Sequence, residues 1–288
     1  MSAHQSSTQT ASSTVGAPDE WLAEHPIGAF IRHFAEMEAS EAHIIDLLVA
    51  AAGIKPGMTV LDIGSGAGIP ALRLAEIVGP QGRVVATDPS ALSMEAITKH
   101  ARERGLKNVE PVRASAAGLP FPAQSFDAVT CSFGVMFFTD VQAGLTRIRE
   151  VLRPGGRAAF VAWGSPEENA LFGPFRSTTT PYLPEPPQPP EPDSPHPMRF
   201  AAPGSLSAAL SAAGYRDIRE DTPPVEMVWN GPPQTVIDIM LDVSRIEEAV
   251  PPDRHDAMRA DLQNVYKQFT SGDETRLPVR VVIASGTA

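Results

Sequence analysis

The feature that most constrains this chain is an alternation, between Thr59 and Trp163, of short apolar runs with segments of helical length. Apolar strands separated by helices are typical of βαβ units, whose parallel sheet is buried on both faces. The predicted fold class is therefore α/β. The pattern predicts strands over 59–63, 83–87, 109–112, 126–132 and 157–163, and helices over 70–78, 90–104 and 141–152.

Helical patterns flank this core on both sides. From Trp21 to Ala52 apolar residues recur near helical spacing, with Ser40 expected to cap a second helix and Gly53 expected to end it in the left-handed conformation. Beyond the core, the pattern predicts a helix over 205–213, one or two helices over 233–269 with a break near Pro251, and strands over 225–229 and 279–283.

A proline-rich stretch separates the core from the later elements. Pro181 to Pro197 holds nine prolines in seventeen residues, which predicts an extended surface loop. The expected organisation is a disordered start at 1–18, N-terminal cap helices at 19–57, an α/β core at 58–164, a proline-rich lid or loop at 165–203, and the rest of the core at 204–288 with a helical cap insertion at 233–269.

Charge and cysteine content exclude several classes of function. Lys and Arg total 23 against 34 Asp and Glu, a formal charge of −11, so the chain is not expected to bind nucleic acid, which needs a basic surface. The single cysteine, Cys131, excludes a disulfide framework and a cysteine-rich zinc site; it is expected to be a packing residue, and no metal site is expected. Neither a secretory signal nor a membrane span is evident, so a cytoplasmic protein is expected.

The segment with the most chemical information follows the first predicted strand. That strand carries an acid, Asp62, and the turn Gly64–Gly68 (Gly-Ser-Gly-Ala-Gly) then opens a helix. Glycine permits positive φ and lets backbone N–H groups approach a ligand closely. Twenty residues after Gly68, Asp88 follows the second predicted strand, where an acid can bind both hydroxyls of a ribose. These residues predict a site for a nucleoside cofactor.

Two nucleoside cofactors could use such a turn. A nicotinamide dinucleotide prefers a third glycine one residue later, and its pyrophosphate would approach the carboxylate of Asp62. S-adenosylmethionine carries an ammonium and a sulfonium group and no phosphate, so a nearby carboxylate favours it electrostatically. The turn therefore favours S-adenosylmethionine, with a nicotinamide cofactor as the alternative.

Four segments, in matching order and spacing, resemble the class I S-adenosylmethionine-dependent methyltransferases, and most closely the small-molecule group that includes the ubiquinone and menaquinone C-methyltransferases. The resemblance implies a doubly wound, Rossmann-like, seven-stranded and mostly parallel sheet with helical cap elements, its last strand antiparallel near 279–284, and S-adenosylmethionine bound by 58–164. The segments are VLDIGSGAGIPALRLAE (60–76), VVATDPS (84–90), GLPFPAQSFDAVTCSFGVMFFTD (118–140) and REVLRPGGRAAFVAWG (149–164).

The resemblance also implies roles for single residues. Asp62 would lie beneath the ammonium group, Asp88 would bind the ribose, and Ser115 would meet the adenine edge, where the family often has Asp. Apolar residues at 136–138 suggest an apolar acceptor. The residues implied for the cofactor are Asp62, Gly64, Ser65, Gly66, Gly68, Asp88, Pro89, Ser115, Ala116, Ser132 and Phe133.

The implied activity is methyl transfer to oxygen, nitrogen or carbon of a small, apolar or aromatic acceptor. A general base is needed only where the acceptor must lose a proton, and no single residue is predicted for that role. The alternatives are a nicotinamide-dependent oxidoreductase, a macromolecule methyltransferase and a cofactor-binding protein without turnover. Residues 233–269 would cap the active site or form a homodimer face. The candidates considered for a base are His25, His33, His43, His196 and Tyr182.

Overall fold

A nine-stranded sheet forms the centre of the computed structural model, which describes residues 27–188, 190–191 and 194–288. The expectations for residues 1–18 and for His25 lie outside the described residues. The strands are β1 Thr59–Ile63, β2 Arg83–Asp88, β3 Val109–Arg113, β4 Phe126–Ser132, β5 Leu152–Trp163, β6 Arg216–Asp221, β7 Pro224–Asn230, β8 Thr270–Ser271 and β9 Glu274–Thr287.

The order of these strands is that of a doubly wound α/β sheet. Along the main path the order is β3-β2-β1-β4-β5-β9-β6; the pairs among β1 to β5 are parallel, and β9 is antiparallel to β5 and β6. This confirms the predicted fold class and the antiparallel last strand. The main path has seven strands, and the two extra strands, β7 and β8, pair only with β9. The order reverses between β1 and β4, so ligands are expected beyond the carboxyl ends of these strands.

Two predictions about helices need correction. The segment 165–203, expected to be a proline-rich lid or loop, contains a helix over Gly173–Thr179. Ser40 does not cap a second helix, because it lies inside the helix α2, Phe34–Ala52. The Oγ of Ser40 donates to the carbonyl oxygen of Met37 at 2.9 Å. Gly53 ends that helix with φ 67°, as predicted. Pro251, where a break was predicted, lies between the helices Pro233–Ser244 and His255–Tyr266. The helices are α1 Ile27–Arg32, α2 Phe34–Ala52, α3 Ala71–Val78, α4 Ala91–Glu103, α5 Val141–Val151, α6 Gly173–Thr179, α7 Ser205–Ala212, α8 Pro233–Ser244 and α9 His255–Tyr266.

Strand β9 extends the sheet beyond the carboxyl end of β5. Its second half pairs with β5 from Val281, opposite Trp163, to Thr287. Its first half continues past Trp163 and pairs with β7 over Glu274 to Arg280. One face of β7 is buried and carries Val225, Met227 and Trp229. We call this two-stranded extension, residues 224–230 and 274–280, the β7–β9 wall.

Helix α2 covers the sheet between the core and the β7–β9 wall. It packs on β4, β5, β7 and β9, and Ile44 and Leu48 on its inner face are fully buried. Removing a leucine-sized side chain from water stabilises a fold by about 1.5–3 kcal/mol. Because α2 ends seven residues before β1 begins at Thr59 and packs on the β7–β9 wall beyond the carboxyl end of β5, its first turns are directed towards the carboxyl edge of the sheet.

The proline-rich stretch begins on the surface of α9. The hydroxyl of Tyr182 donates to Asp261, and the guanidinium of Arg254 lies over the Tyr182 ring, 4.8 Å from its centroid. The described residues between Leu183 and Gly204 contain no helix or strand. Among the helices of the described chain, none is long and apolar enough to cross a membrane.

Candidate active site

The glycine turn lies at the carboxyl end of β1 and has the positive φ angles that its sequence predicts. The φ values of Gly64, Gly66 and Gly68 are 67°, 51° and 114°. The backbone N–H of Ser65 donates to the carbonyl oxygen of Thr87 at 2.9 Å, which ties the turn to the end of β2. Glycine is required because other residues reach this region of φ only with strain. The turn is therefore held against the two strands that flank the predicted site.

Asp88 is joined directly to the glycine turn. Its Oδ2 accepts from the backbone N–H of Gly66 at 3.0 Å, and its Oδ1 accepts from that of Ser90 at 2.9 Å. Burial raises the pKa of this carboxyl group, and the two backbone hydrogen bonds oppose that rise. Each carboxylate oxygen has a second acceptor position, so Asp88 can still accept from two hydroxyl groups of a ligand.

Asp62 lies beneath the turn and is not exposed. Its two carboxyl oxygens accept from the hydroxyls of Ser65 and Thr130, each at 2.6 Å, and the residue is 0% exposed. Burial raises the pKa of Asp62 to about 7, and the charge of Asp88 acts in the same direction, against the two hydroxyl hydrogen bonds. Through its contact with Ser65, Asp62 thus stabilises the glycine turn from the buried side.

The end of β4 packs against the glycine turn through a second glycine. A Cβ on Gly134 would lie 2.9 Å from Sγ of Cys131 and 3.3 Å from the carbonyl oxygen of Ile63, and one on Gly64 would lie 3.5 Å from Cα of Gly134. The preceding residue, Phe133, has φ 52°, which is rare outside glycine. The two backbone turns therefore approach each other with no side chain between them.

Ser132 provides a buried polar atom at this edge. Its Oγ is inaccessible to solvent and has no hydrogen-bond partner among the described residues. Buried hydroxyl groups are normally paired, because desolvation without a partner is costly. Ser132 is the last residue of β4, where the resemblance places a cofactor, so a ligand bound there fits this unpaired hydroxyl.

An aromatic stack borders the ends of β4 and β5. The Phe133 and Trp163 rings are stacked, with centroids 4.0 Å apart, and Phe172 meets Trp163 edge-on at 5.0 Å. Met136 is fully buried, and Phe138 packs close to Gly144 of α5. Of the apolar residues expected on the acceptor side, Met136 therefore belongs to the core.

The remaining predicted cofactor residues lie beyond β2 and β3. The carbonyl oxygen of Pro89 accepts from Nε of Arg113 at 2.7 Å, and the N–H of Ala114 donates to the carbonyl oxygen of Asp88 at 3.2 Å. Ser115 is exposed and Ala116 is buried. These residues share the carboxyl edge with the glycine turn.

The candidate bases have separate environments. His33 Nε2 lies 2.9 Å from Oδ2 of Asp242, Tyr182 donates to Asp261, and His43 is exposed. The pKa of His196 is lowered, chiefly by burial and also by the charge of Arg199. Cys131 is fully buried, and burial raises the pKa of its thiol. Within the described residues, no group of three His, Cys, Asp or Glu side chains could hold a metal ion.

Sequence reasoning did not identify a histidine that supports the glycine turn. Nδ1 of His100 lies 2.9 Å from the carbonyl oxygen of Ala67, between Gly66 and Gly68. The Phe34 ring stacks on the imidazole with centroids 4.0 Å apart. The signal was present in the spacing, because His100 continues the buried stripe of Ser93, Ala96 and Ile97 along α4.

Comparison with known proteins agrees with this geometry. A sequence model of the ubiE/COQ5 methyltransferase family matches residues 43–185. Nocamycin O-methyltransferase of Saccharothrix syringae is 35% identical over 243 residues, which are 81% of this chain and 86% of that protein. The ubiquinone/menaquinone biosynthesis C-methyltransferase UbiE of Shewanella oneidensis is 34% identical over 124 residues, 43% of this chain. The chain spans about half (49%) of the length of that UbiE.

A solved structure shows the same fold. Phosphoethanolamine N-methyltransferase 2 of Haemonchus contortus, in complex with S-adenosyl-L-methionine, aligns with a TM-score of 0.56 and 16% identity over 95% of this chain and 60% of that one. The fold, the family match and the relative aligned over most of both chains agree. The chain belongs to the S-adenosylmethionine-dependent methyltransferases, with S-adenosylmethionine as its cofactor.

Proposed function

We propose that this protein transfers the methyl group of S-adenosylmethionine to an oxygen atom of a small, largely apolar acceptor. The observation that carries the proposal is the 35% identity to nocamycin O-methyltransferase, which extends over 86% of that protein and therefore beyond the cofactor-binding core. The aromatic stack of Phe133, Trp163 and Phe172 supports an apolar acceptor, because it presents rings at the edge where the cofactor is bound.

Asp88 and the glycine turn are the groups that we assign to the cofactor. The carboxylate of Asp88 keeps acceptor positions for the ribose hydroxyls, and the turn offers backbone without side chains. When ionised, Asp88 gives this edge a negative charge that favours a cation, whereas Asp62 is partly protonated near neutral pH because burial raises its pKa to about 7. The hydroxyl of Ser132, which has no partner among the described residues, would donate a hydrogen bond to the bound molecule. The further residues assigned here are Ser65, Pro89, Ser115, Ala116 and Phe133.

The chain contributes to the reaction mainly by positioning. When bound, the cofactor supplies an electrophilic methyl group on a sulfonium centre, whose leaving group is a neutral thioether. Holding an acceptor oxygen about 3–3.5 Å from that carbon, in line with the bond that breaks, accounts for much of the rate of such reactions. The Phe133 and Trp163 rings exclude water at this edge and restrict the orientation of a flat acceptor.

C-methylation is the second candidate function. The ubiE/COQ5 family model covers residues 43–185, which include the whole cofactor-binding core. The UbiE of Shewanella oneidensis aligns over only 43% of this chain, however, and the chain spans about half (49%) of that relative. Nocamycin O-methyltransferase aligns over 81% of this chain, so O-methylation is the better supported reaction. The charge of −11 further supports a small molecule over nucleic acid as the acceptor.

The first test of this proposal is calorimetric titration of the protein with S-adenosylmethionine, S-adenosylhomocysteine and NAD. The second test measures transfer of a radiolabelled methyl group to hydrophobic phenols and quinols. Micromolar binding of the first two ligands, no binding of NAD, and methyl ether products identified by NMR are expected. Methylation at ring carbon would instead support the second candidate. Binding of NAD alone would contradict the assignment of the glycine turn.

A further inference from the structure

A buried carboxyl group on α2 has no partner in the described chain. Glu41 is 6% exposed, and no hydrogen bond or ion pair joins it to any residue that the structure describes. Glutamate is almost never buried unless it is paired, because an isolated carboxylate in an apolar environment is costly. Among the described residues, Glu41 is therefore an unpaired carboxyl group on a largely apolar, buried face of α2.

Helix geometry places Glu41 at the carboxyl edge of the sheet. It precedes Ala52 by 52 − 41 = 11 residues, and α2 ends seven residues before β1 begins at Thr59. At 1.5 Å per residue this separation is about 16 Å, and the five residues of β1 span about 16 Å at 3.3 Å per residue. Because α2 packs both on β4 and β5 and on the β7–β9 wall beyond Trp163, Glu41, in the first half of α2, is placed towards the carboxyl ends of the strands.

The same face of α2 points towards the sheet. Glu41 shares the buried stripe of Ile44, Ile45 and Leu48, three, four and seven residues further on. Since α2 packs on β4 and β5, the stripe reaches the edge where Ser132 and Trp163 end those strands. This is the edge where the methyl group would be transferred.

Burial alone shifts the pKa of the Glu41 carboxyl group. Desolvation raises the pKa of Glu41 to about 8, with no contribution from any charge. A carboxyl group with this pKa can both take up and release a proton near neutral pH, which suits a general base. The charged side chains on the strands packed against α2 have partners other than Glu41. Asp127 forms an ion pair with Arg153, and Arg157 donates to the hydroxyl of Ser285. On the β7–β9 wall, Arg276 pairs with Glu226 and Glu274, and Arg280 pairs with Glu168.

We propose that Glu41 is the general base that deprotonates a hydroxyl group of the acceptor, which would be a phenol or an enol. This inference rests on the proposed O-methylation. As the new bond between oxygen and the methyl carbon forms, the O–H proton passes to the Glu41 carboxylate. The bond between that carbon and sulfur breaks, and its electron pair remains on sulfur. Glu41 releases the proton to solvent after the product leaves.

The test compares Glu41→Gln with wild type and with Glu36→Gln, an equal charge change at an exposed position of the same helix. The acceptors are 2-naphthol and 4-phenylphenol, and the readouts are S-adenosylmethionine affinity and the pH dependence of methyl ether formation. We expect E41Q to bind the cofactor as wild type does but to form ether about a hundredfold more slowly. Wild type and E36Q should gain activity as pH rises to about 8, whereas E41Q should lack this rise.

Three results would overturn the role of Glu41. Equal rates of ether formation by E41Q and wild type would exclude it as a base. An equal loss of cofactor affinity and rate would show that Glu41 binds the cationic cofactor instead. If wild type binds the cofactor but forms no ether from either phenol, the proposed O-methylation itself fails on these acceptors, and the role of Glu41 with it. Far-UV circular dichroism and the thermal unfolding midpoint report separately whether the E41Q variant is folded.

Discussion

The carboxylate of Asp88 accepts a hydrogen bond from the backbone N–H of Gly66, with 3.0 Å between Oδ2 and the nitrogen. This contact joins the end of β2 to the glycine turn after β1 across the sheet. A single side chain therefore shapes the turn and, under the proposed function, would also accept hydrogen bonds from a ribose. Binding and loop conformation should depend on it together.

Replacing Asp88 by alanine should lower the affinity for S-adenosylmethionine at least tenfold, because it removes the ribose acceptor and frees the N–H of Gly66. Calorimetry on the purified variant measures this. Asp88→Asn keeps the shape and one acceptor oxygen, so its loss should be smaller. An alanine variant with unchanged affinity would count against the site.

Two glycines in the site should respond differently to alanine. At Gly66 a Cβ would meet no atom within 4 Å, so Gly66→Ala should cost only the strain of φ 51°, about 1–2 kcal/mol. At Gly134 a Cβ would lie 2.9 Å from Cys131 Sγ and 3.3 Å from the Ile63 carbonyl oxygen, atoms that cannot move easily. Urea denaturation should show Gly134→Ala to be the less stable variant; the reverse order would contradict the close approach of the two turns.

The buried carboxyl group of Asp62 should make stability depend on pH. Its pKa in the fold, about 7, exceeds the ordinary value of 3.8, so folding takes up a proton between these values and stability falls as pH rises through that range. Asp62→Asn has no such group. Relative to this variant, the unfolding free energy of wild type should fall by as much as about 4 kcal/mol between pH 4 and pH 8. Parallel pH profiles of the two proteins in urea denaturation would refute the prediction.

The carboxylate of Asp242 joins the first described helix, α1, to α8. Nε and Nη2 of Arg32 lie 3.0 Å and 2.7 Å from the oxygens of Asp242, which His33 also contacts. The Arg32 side chain is 62% exposed, so Asp242→Ala should cost no more than about 1 kcal/mol. We expect a KM for the acceptor raised severalfold with unchanged cofactor affinity. The exposed Asp253→Ala serves as the matched control, and equal effects of the two variants would exclude this contact as the cause.

The sequence predicted most of the sheet because its strands are apolar and locally bounded. Strands β1 and β4 have the predicted limits, and β2 and β3 differ by one residue. Strand β6, Arg216–Asp221, was missed because it is almost entirely polar and is stabilised by pairing with β9, far along the chain. Ser40 was misread because its hydroxyl can satisfy a carbonyl within a helix as well as cap one.

The site was predicted where sequence motifs determine backbone geometry. The glycine turn and Asp88 meet, as expected of neighbouring parallel strands. The supporting contacts of Thr130 and His100, and the burial of Glu41, depend on which helix face meets the sheet. From the sequence alone, a glutamate in an amphipathic helix is predicted to face the solvent.

The length of β9 has a mechanical consequence. One uninterrupted strand of 14 residues runs from the β7–β9 wall into the centre of the sheet, with hydrogen-bonded partners at both ends. The wall therefore has no hinge and must move as a rigid part of the core. Entry of an acceptor and departure of its product would then require displacement of the helical side, where α1 and α8 meet through surface contacts that are easily broken and re-formed.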